Sequence, residues 1–144
     1  RFRHEPAQHL KWYLLRKPAV FWSWNIIQGI GDVFIYPVHQ TPYQSNFFFR
    51  WTHHLMRYLH WPLVLLCAAG SLMVWLPQLN CIYPDNSLHV ARFVSALLLY
   101  FTAIHVVGAP FPRYSIPLRP FLYGMAIFCL HMFYTLAKFR KVNI

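Results

Sequence analysis

Three apolar runs in the chain are long enough to cross a bilayer. The first, from about Tyr58 to Leu79 (YLHWPLVLLCAAGSLMVWLPQL), contains no Asp, Glu, Lys or Arg, and about twenty such residues cover roughly 30 Å of hydrocarbon. Trp61 and Trp75 stand near its two ends, where interfacial anchors sit. Pro62 falls in its first turn or two, where a missing N–H costs little. A short polar loop with Asn80, Pro84, Asp85, Asn86 and Ser87 follows, and Asn86 or Ser87 is placed to cap the next helix. The second run, about His89 to Ala109 (HVARFVSALLLYFTAIHVVGA), has Arg92 near its start, within snorkelling reach of the headgroups. Gly108, Pro110 and Pro112 stop it. The third, about Pro120 to Ala137 (PFLYGMAIFCLHMFYTLA), opens on a proline suited to a first helical position and closes on Lys138, Arg140 and Lys141. The pattern predicts an all-α membrane protein with three transmembrane helices, at about 58–79, 89–109 and 120–137, within a domain spanning 58–144.

Residues 1–57 do not follow this pattern. LLRKPAVFWSWNIIQGIGDVFIYPV is apolar in patches, but Arg16, Lys17, Pro18, Gly29, Gly31, Asp32 and Pro37 interrupt it. Each charge near a span's centre costs about 2.5–3.5 kcal/mol on insertion scales. The expectation is a basic, aromatic-rich interfacial helix and loop, with Trp12, Trp22 and Trp24 at the headgroup level. A fourth crossing at 19–38 is the alternative.

Composition agrees with a membrane location: the chain is 58% hydrophobic and only 11% charged, against roughly 25% charged in soluble domains. Glu5, Asp32 and Asp85 are its only acidic residues, too dispersed for the paired carboxylates of acid–base catalysis. The net charge of +10 does not point to nucleic acid. Its basic residues flank the apolar spans instead of striping a folded face, an arrangement that suits anionic lipid headgroups. Arg50 and Arg57 before the first span, and Arg113 and Arg119 in the second loop, place the N-terminus on the matrix or cytoplasmic side, with Lys138, Arg140 and Lys141 opposing. A sequence starting at Arg1 suits a mature mitochondrial protein after presequence removal, and a truncated chain would start the same way. Cys67, Cys81 and Cys129 show no metal spacing, and Cys67 and Cys129 read as small hydrophobes within spans.

Chemistry, if there is any, rests with the nine histidines. His60, His105 and His131 fall within the spans, where an ionisable group is costly enough to suggest function. His105, about a turn from the end of the second span, could ligate a haem iron, with Gly108 permitting close approach; a hydrogen bond to a neighbouring helix is the plainer role. His131 counts roughly 16 Å into the third span at about 1.5 Å per residue, a poor match in depth to His105, and reads as an interhelical hydrogen-bond donor. His60 reads as a headgroup contact. In RWTHHLMRYLHW, Arg57 follows His53 by four and His54 by three, so the three share a helical face that, with Thr52, could meet a quinone carbonyl, haem propionates or lipid phosphate.

With these motifs in view, the chain resembles the large cytochrome b anchor subunit of succinate dehydrogenase, respiratory complex II. Members of that family have an N-terminal interfacial stretch and three transmembrane helices. Their Ser-x-x-His-Arg motif at the ubiquinone site has its counterpart within Thr52, His53, His54 and Arg57, at altered spacing. Their haem-ligating Tyr-His-x-x-x-Gly-Ile-Arg-His is similar to AIHVVGAPFPRY at His105 and Gly108, one residue shorter, with Arg113 and Tyr114 standing nearest to the missing Arg-His. IPLRPFLYG resembles the family's IP…LYxG segment. The resemblance implies an oxidoreductase subunit without a complete active site of its own. It would bind haem b through His105, Gly108 and Arg113, take ubiquinone, dock an iron–sulfur subunit and pair with a second anchor in the mitochondrial inner membrane, N-terminus in the matrix. The competing expectation is a non-catalytic accessory subunit of complex I, cytochrome oxidase or ATP synthase. A small transporter half is disfavoured, because no inverted repeat or pair of broken helices is visible.

Overall fold

The computed structural model describes residues 5–24, 42–83 and 85–142. Helix α1 (Pro6–Lys11) runs through a π-helical turn (Trp12–Arg16) into α2 (Lys17–Phe21). A single turn, α3 (Pro42–Ser45), precedes the first long helix, α4 (Phe47–Met73). Two further long helices follow, α5 (Asp85–Val107) and α6 (Arg119–Val142), each entered after a 3-10 turn, Pro77–Cys81 and Pro112–Leu118. The described residues contain no strand, and three helices are long and apolar enough to cross a membrane. The all-α, three-span expectation therefore holds. The proposed fourth crossing at 19–38 lies mostly outside the described residues.

Helix boundaries differ from the apolar runs for local reasons. α4 begins at Phe47, ahead of the expected Tyr58, because Asn46 is extended and its side chain accepts the Phe48 N–H at 2.9 Å, an N-cap. No Gly or Pro interrupts FFFRWTHHLMR after it. Hydropathy located the part of the helix that lipid can cover, and the cap set where the helix starts. At the other end Pro77 holds Leu76 extended (ψ 130°), so α4 stops at Met73 and a 3-10 turn takes over. Pro62 lies deep inside α4 instead of in its first turns, so the carbonyl of Tyr58 loses its helical donor. Likewise α5 starts at Asp85, which puts Asn86 and Ser87 inside its first turn.

α4 and α6 form the principal pair. Along α4, His60, Cys67, Gly70 and Ser71 are buried, as is Val74 at its C-cap; along α6, Leu122, Met125, Ala126, Cys129 and Met132 are. Both stripes follow the three-and-four spacing of one helical face. Hydrocarbon is as apolar as Leu, so helices in a bilayer associate through close packing and interhelical hydrogen bonds. Gly70 provides the closeness: a Cβ there would stand 2.9 Å from the Cys129 Cβ and 3.1 Å from the Met125 carbonyl oxygen. Cys67 and Cys129 are indeed buried as small residues of this contact, with free thiols.

Hydrogen bonds attach α5 to this pair. Ser95, fully buried, donates to the Ser71 carbonyl at 2.8 Å and accepts from the Trp75 indole at 3.0 Å. Arg92 does not snorkel to lipid; it donates to the Val74 carbonyl at 3.2 Å and to Asn80 at 2.6 Å, closing the C-terminal end of α4. Replacing Ser95 with Ala leaves the Trp75 N–H unmatched, and the expected loss of about 0.5–2 kcal/mol would be read as a lowered unfolding midpoint in detergent.

Part of the N-terminal segment packs on the spans, while Leu10, Trp12, Leu14 and Leu15 before it are exposed. Residues 17–22 are built into the bundle: Lys17, Phe21 and Trp22 are buried, and α2 packs on α5 and on the 112–118 turn. The three spans bury only 17% to 28% of their most apolar windows inside the chain. Most of their surface therefore faces lipid or other proteins.

Candidate functional site at the N-terminal face

Two histidines flank the dipeptide Phe21–Trp22 where the N-terminal segment meets the bundle. On one side His60, 1% exposed, donates Nε2–H to the Trp22 carbonyl at 2.5 Å. On the other, the His105 ring stacks on Phe21 with centroids 4.7 Å apart. The Trp22 indole donates to Thr102 on α5 at 3.1 Å, and Thr102 passes its own proton to the Leu98 carbonyl at 2.7 Å. Lys17 secures the whole segment. Its ammonium donates to the carbonyls of Val106 (2.7 Å) and Gly108 (3.2 Å), just where α5 runs out of amide partners, and lies 4.1 Å from the Tyr13 ring centroid.

This arrangement overturns one expectation directly. His60 is not a headgroup contact. It lies on the inward stripe of α4, and with Nε2–H used on Trp22 its Nδ1 is buried without a hydrogen-bond partner. Trp24 links it to α6: its ring lies 5.4 Å from His60 and 5.8 Å from His53, with the Arg119 guanidinium 5.0 Å from its centroid. Arg119 also reaches the Ser23 carbonyl at 3.4 Å.

His105 is half-buried, and its Nδ1 donates to the Phe101 carbonyl of its own helix at 2.8 Å. That bond selects the tautomer whose lone pair is on Nε2, the form in which an imidazole binds a metal. The donor chemistry therefore fits a haem iron, which His105 would hold through Nε2. Tyr114 covers the ring at 5.2 Å and is held by Arg113, which donates to its hydroxyl at 2.9 Å and lies 4.9 Å from its centroid. Gly108 is exposed, and a Cβ there would meet only the Ile104 carbonyl oxygen, at 3.3 Å. No group of three His, Cys, Asp or Glu side chains stands ready for a metal ion among the described residues.

The set proposed for quinone or propionates divides along α4. Thr52 turns its hydroxyl back onto the Phe49 carbonyl at 2.9 Å. His53 faces inward, 5.6 Å from Tyr43 and near Trp24, whereas His54 and Arg57 are exposed. His131 sits elsewhere. It hydrogen-bonds Tyr83 of the first loop at 3.0 Å, which sets it at the level of that loop on the opposite face. Its partner is thus a loop hydroxyl and not another span.

The sequence marked Lys17, Trp22, Trp24 and Arg119 only as interfacial or orienting residues, and did not mark Tyr83. Each acts through a contact distant in sequence, and no local pattern announces it. Comparison with protein-family models, with curated proteins and with solved structures finds no match. Fold and site together define a three-span helical membrane protein whose N-terminal segment is wedged between its first two spans at one end of the bundle.

Proposed function

We propose that this chain is a membrane-anchor subunit of a respiratory-chain complex in the mitochondrial inner membrane, of the type found in succinate:ubiquinone oxidoreductase. The observation that carries the reading is His105: it stands two residues from the end of α5, and its Nδ1–H is spent on Phe101, which leaves Nε2 for iron. His105 would hold one side of a haem b, which supplies one-electron storage when bound. A further protein ligand for that haem would come from a second anchor, because His60 is committed to Trp22. Arg113 and the exposed His54 and Arg57 offer cationic and donor groups for propionates or a quinone carbonyl. An iron–sulfur subunit would dock on the same face, where Trp12, Leu14, Leu15, Phe47, Phe48 and Trp51 are exposed. The N-terminus would then lie in the matrix.

A second reading, a purely structural subunit of another inner-membrane complex, is favoured by the packing of His105 between Phe21 and Tyr114. One experiment separates the two. In the purified complex, His105→Ala should abolish the b-type band of the reduced-minus-oxidised spectrum while the subunits still co-purify. An unchanged band would remove His105 as a ligand and leave the accessory role.

A further inference from the structure

A cavity of about 730 Å³ opens between α5 and α6 on the outer surface of the bundle. Its walls are apolar along most of their length, from Pro120 and Phe121 past Val94, Val90 and Phe128. Only one end is polar, formed by Asn86, Ser87 and His131 at the level of the first loop. No charged side chain lines it among the described residues. From His131 back to Pro120 the groove follows eleven residues of helix, about 16 Å at ~1.5 Å per residue. That is the depth of one leaflet of a hydrocarbon core of roughly 30 Å.

The polar end has a defined donor–acceptor sense. Thr135 donates its hydroxyl proton to the His131 carbonyl at 2.9 Å, since a carbonyl can only accept. Tyr83 must therefore donate its own proton to Thr135, at 3.2 Å. The Tyr83 oxygen is left to accept from His131 Nδ1–H, at 3.0 Å. In its neutral form the ring then carries a bare lone pair on Nε2, at the head of an apolar slot. An occupant should bring a hydrogen-bond donor to that nitrogen, phosphate oxygens to the Asn86 amide and the Ser87 hydroxyl, no net charge, and one hydrocarbon chain about a leaflet deep.

We propose that this groove is a binding site for a phosphatidylethanolamine molecule of the leaflet on the first-loop side. Its ammonium N–H groups donate to His131 Nε2, its phosphate meets Asn86 and Ser87, and one acyl chain lies over Gly124 towards Phe121. Phosphatidylcholine has the same net charge and can carry the same chains, but its quaternary nitrogen has no N–H to give. Gly124 borders the open slot: a Cβ built there meets nothing within 4 Å.

The test uses the full chain in nanodiscs of equimolar palmitoyl-oleoyl phosphatidylethanolamine and phosphatidylcholine, with tightly held lipid identified by native mass spectrometry after detergent release. Wild type should retain phosphatidylethanolamine about tenfold over phosphatidylcholine, the ratio one charge-assisted hydrogen bond supports. His131→Phe should keep a bound lipid and lose the preference. Gly124→Leu, which fills open space without touching the α4–α6 contact, should lose bound lipid of both kinds at an unchanged unfolding midpoint. Equal retention of the two lipids by wild type would overturn the proposal. So would a preference that survives His131→Phe, or a partner helix cross-linking to Gly124→Cys in the assembled complex. The wild-type comparison needs no variant to fold, and none of these readouts depends on haem.

Discussion

Gly70→Leu is expected to prevent this bundle from assembling, with little monodisperse protein recovered in detergent. α4 and α6 touch more extensively than any other pair of described elements, and at Gly70 their backbones approach closely. The obstacle is not a side-chain tip that could rotate away. It is the Cys129 Cβ at 2.9 Å and the Met125 backbone oxygen at 3.1 Å, both fixed to the α6 backbone. Even Gly70→Ala must push the helices apart, and overpacking of this kind costs about 1–3 kcal/mol, with larger residues costing more. Separation also removes the dispersion contacts that hold helices together in lipid. Pairing Gly70→Ala with Cys129→Gly removes the nearer obstacle and should recover part of the lost unfolding midpoint. An unchanged midpoint in Gly70→Ala, measured by thermal unfolding in detergent, would refute the close approach.

Lys17→Met should release the N-terminal segment while leaving the three spans folded. The ammonium is buried and satisfies two carbonyls at the end of α5, where no backbone N–H is available. Met preserves the stem's length and removes the donors. Each orphaned carbonyl costs about 1–3 kcal/mol, and the favourable placement of a cation at a helix C-terminus is lost as well. Faster amide exchange should follow at residues 17–23, whereas amides of α4 and α6 around Gly70 should keep their protection. Lys17→Arg, which retains charge and donors, should fall between the two. Protection at 17–23 equal to wild type in Lys17→Met would show that Phe21 and Trp22 alone hold the segment. The same release would uncover His105, whose ring Phe21 covers, so a complex carrying this variant is expected to show a perturbed haem spectrum if His105 is a ligand.

The membrane spans could be read in the sequence because bilayer insertion depends on summed transfer free energy. About twenty uncharged residues in a row suffice whatever they later touch. Their ends were less legible. The Asn46 cap and the extended Leu76 before Pro77 are local devices, but hydropathy does not register them, so α4 extends well beyond the apolar run at its start and stops short of it at its end. The histidines were legible as unusual residues and not as to role. His60 and His105 each sit in an apolar run beside aromatic residues, yet one donates to a backbone carbonyl from residue 22 and the other stacks on residue 21. Depth counted along a single helix set His131 apart from His105, but it could not supply the partner, Tyr83 of the first loop.

By itself, then, the sequence determined that this is a membrane protein of three apolar helices, that its basic residues gather at the ends of those helices, and that histidine is its only abundant reactive group. Those properties follow from residue type and spacing along the chain. Only the tertiary structure decided that Lys17 closes α5, that Gly70 sets the α4–α6 distance, and that His60, His105 and His131 have three different partners. Each of these depends on a contact between residues 38 to 91 positions apart for the hydrogen-bonded pairs, and pairing at that separation is fixed by how whole helices pack. A tautomer follows from its partner, so those of His60 and His131 were settled there as well, whereas that of His105 follows from Phe101 four residues back in its own helix.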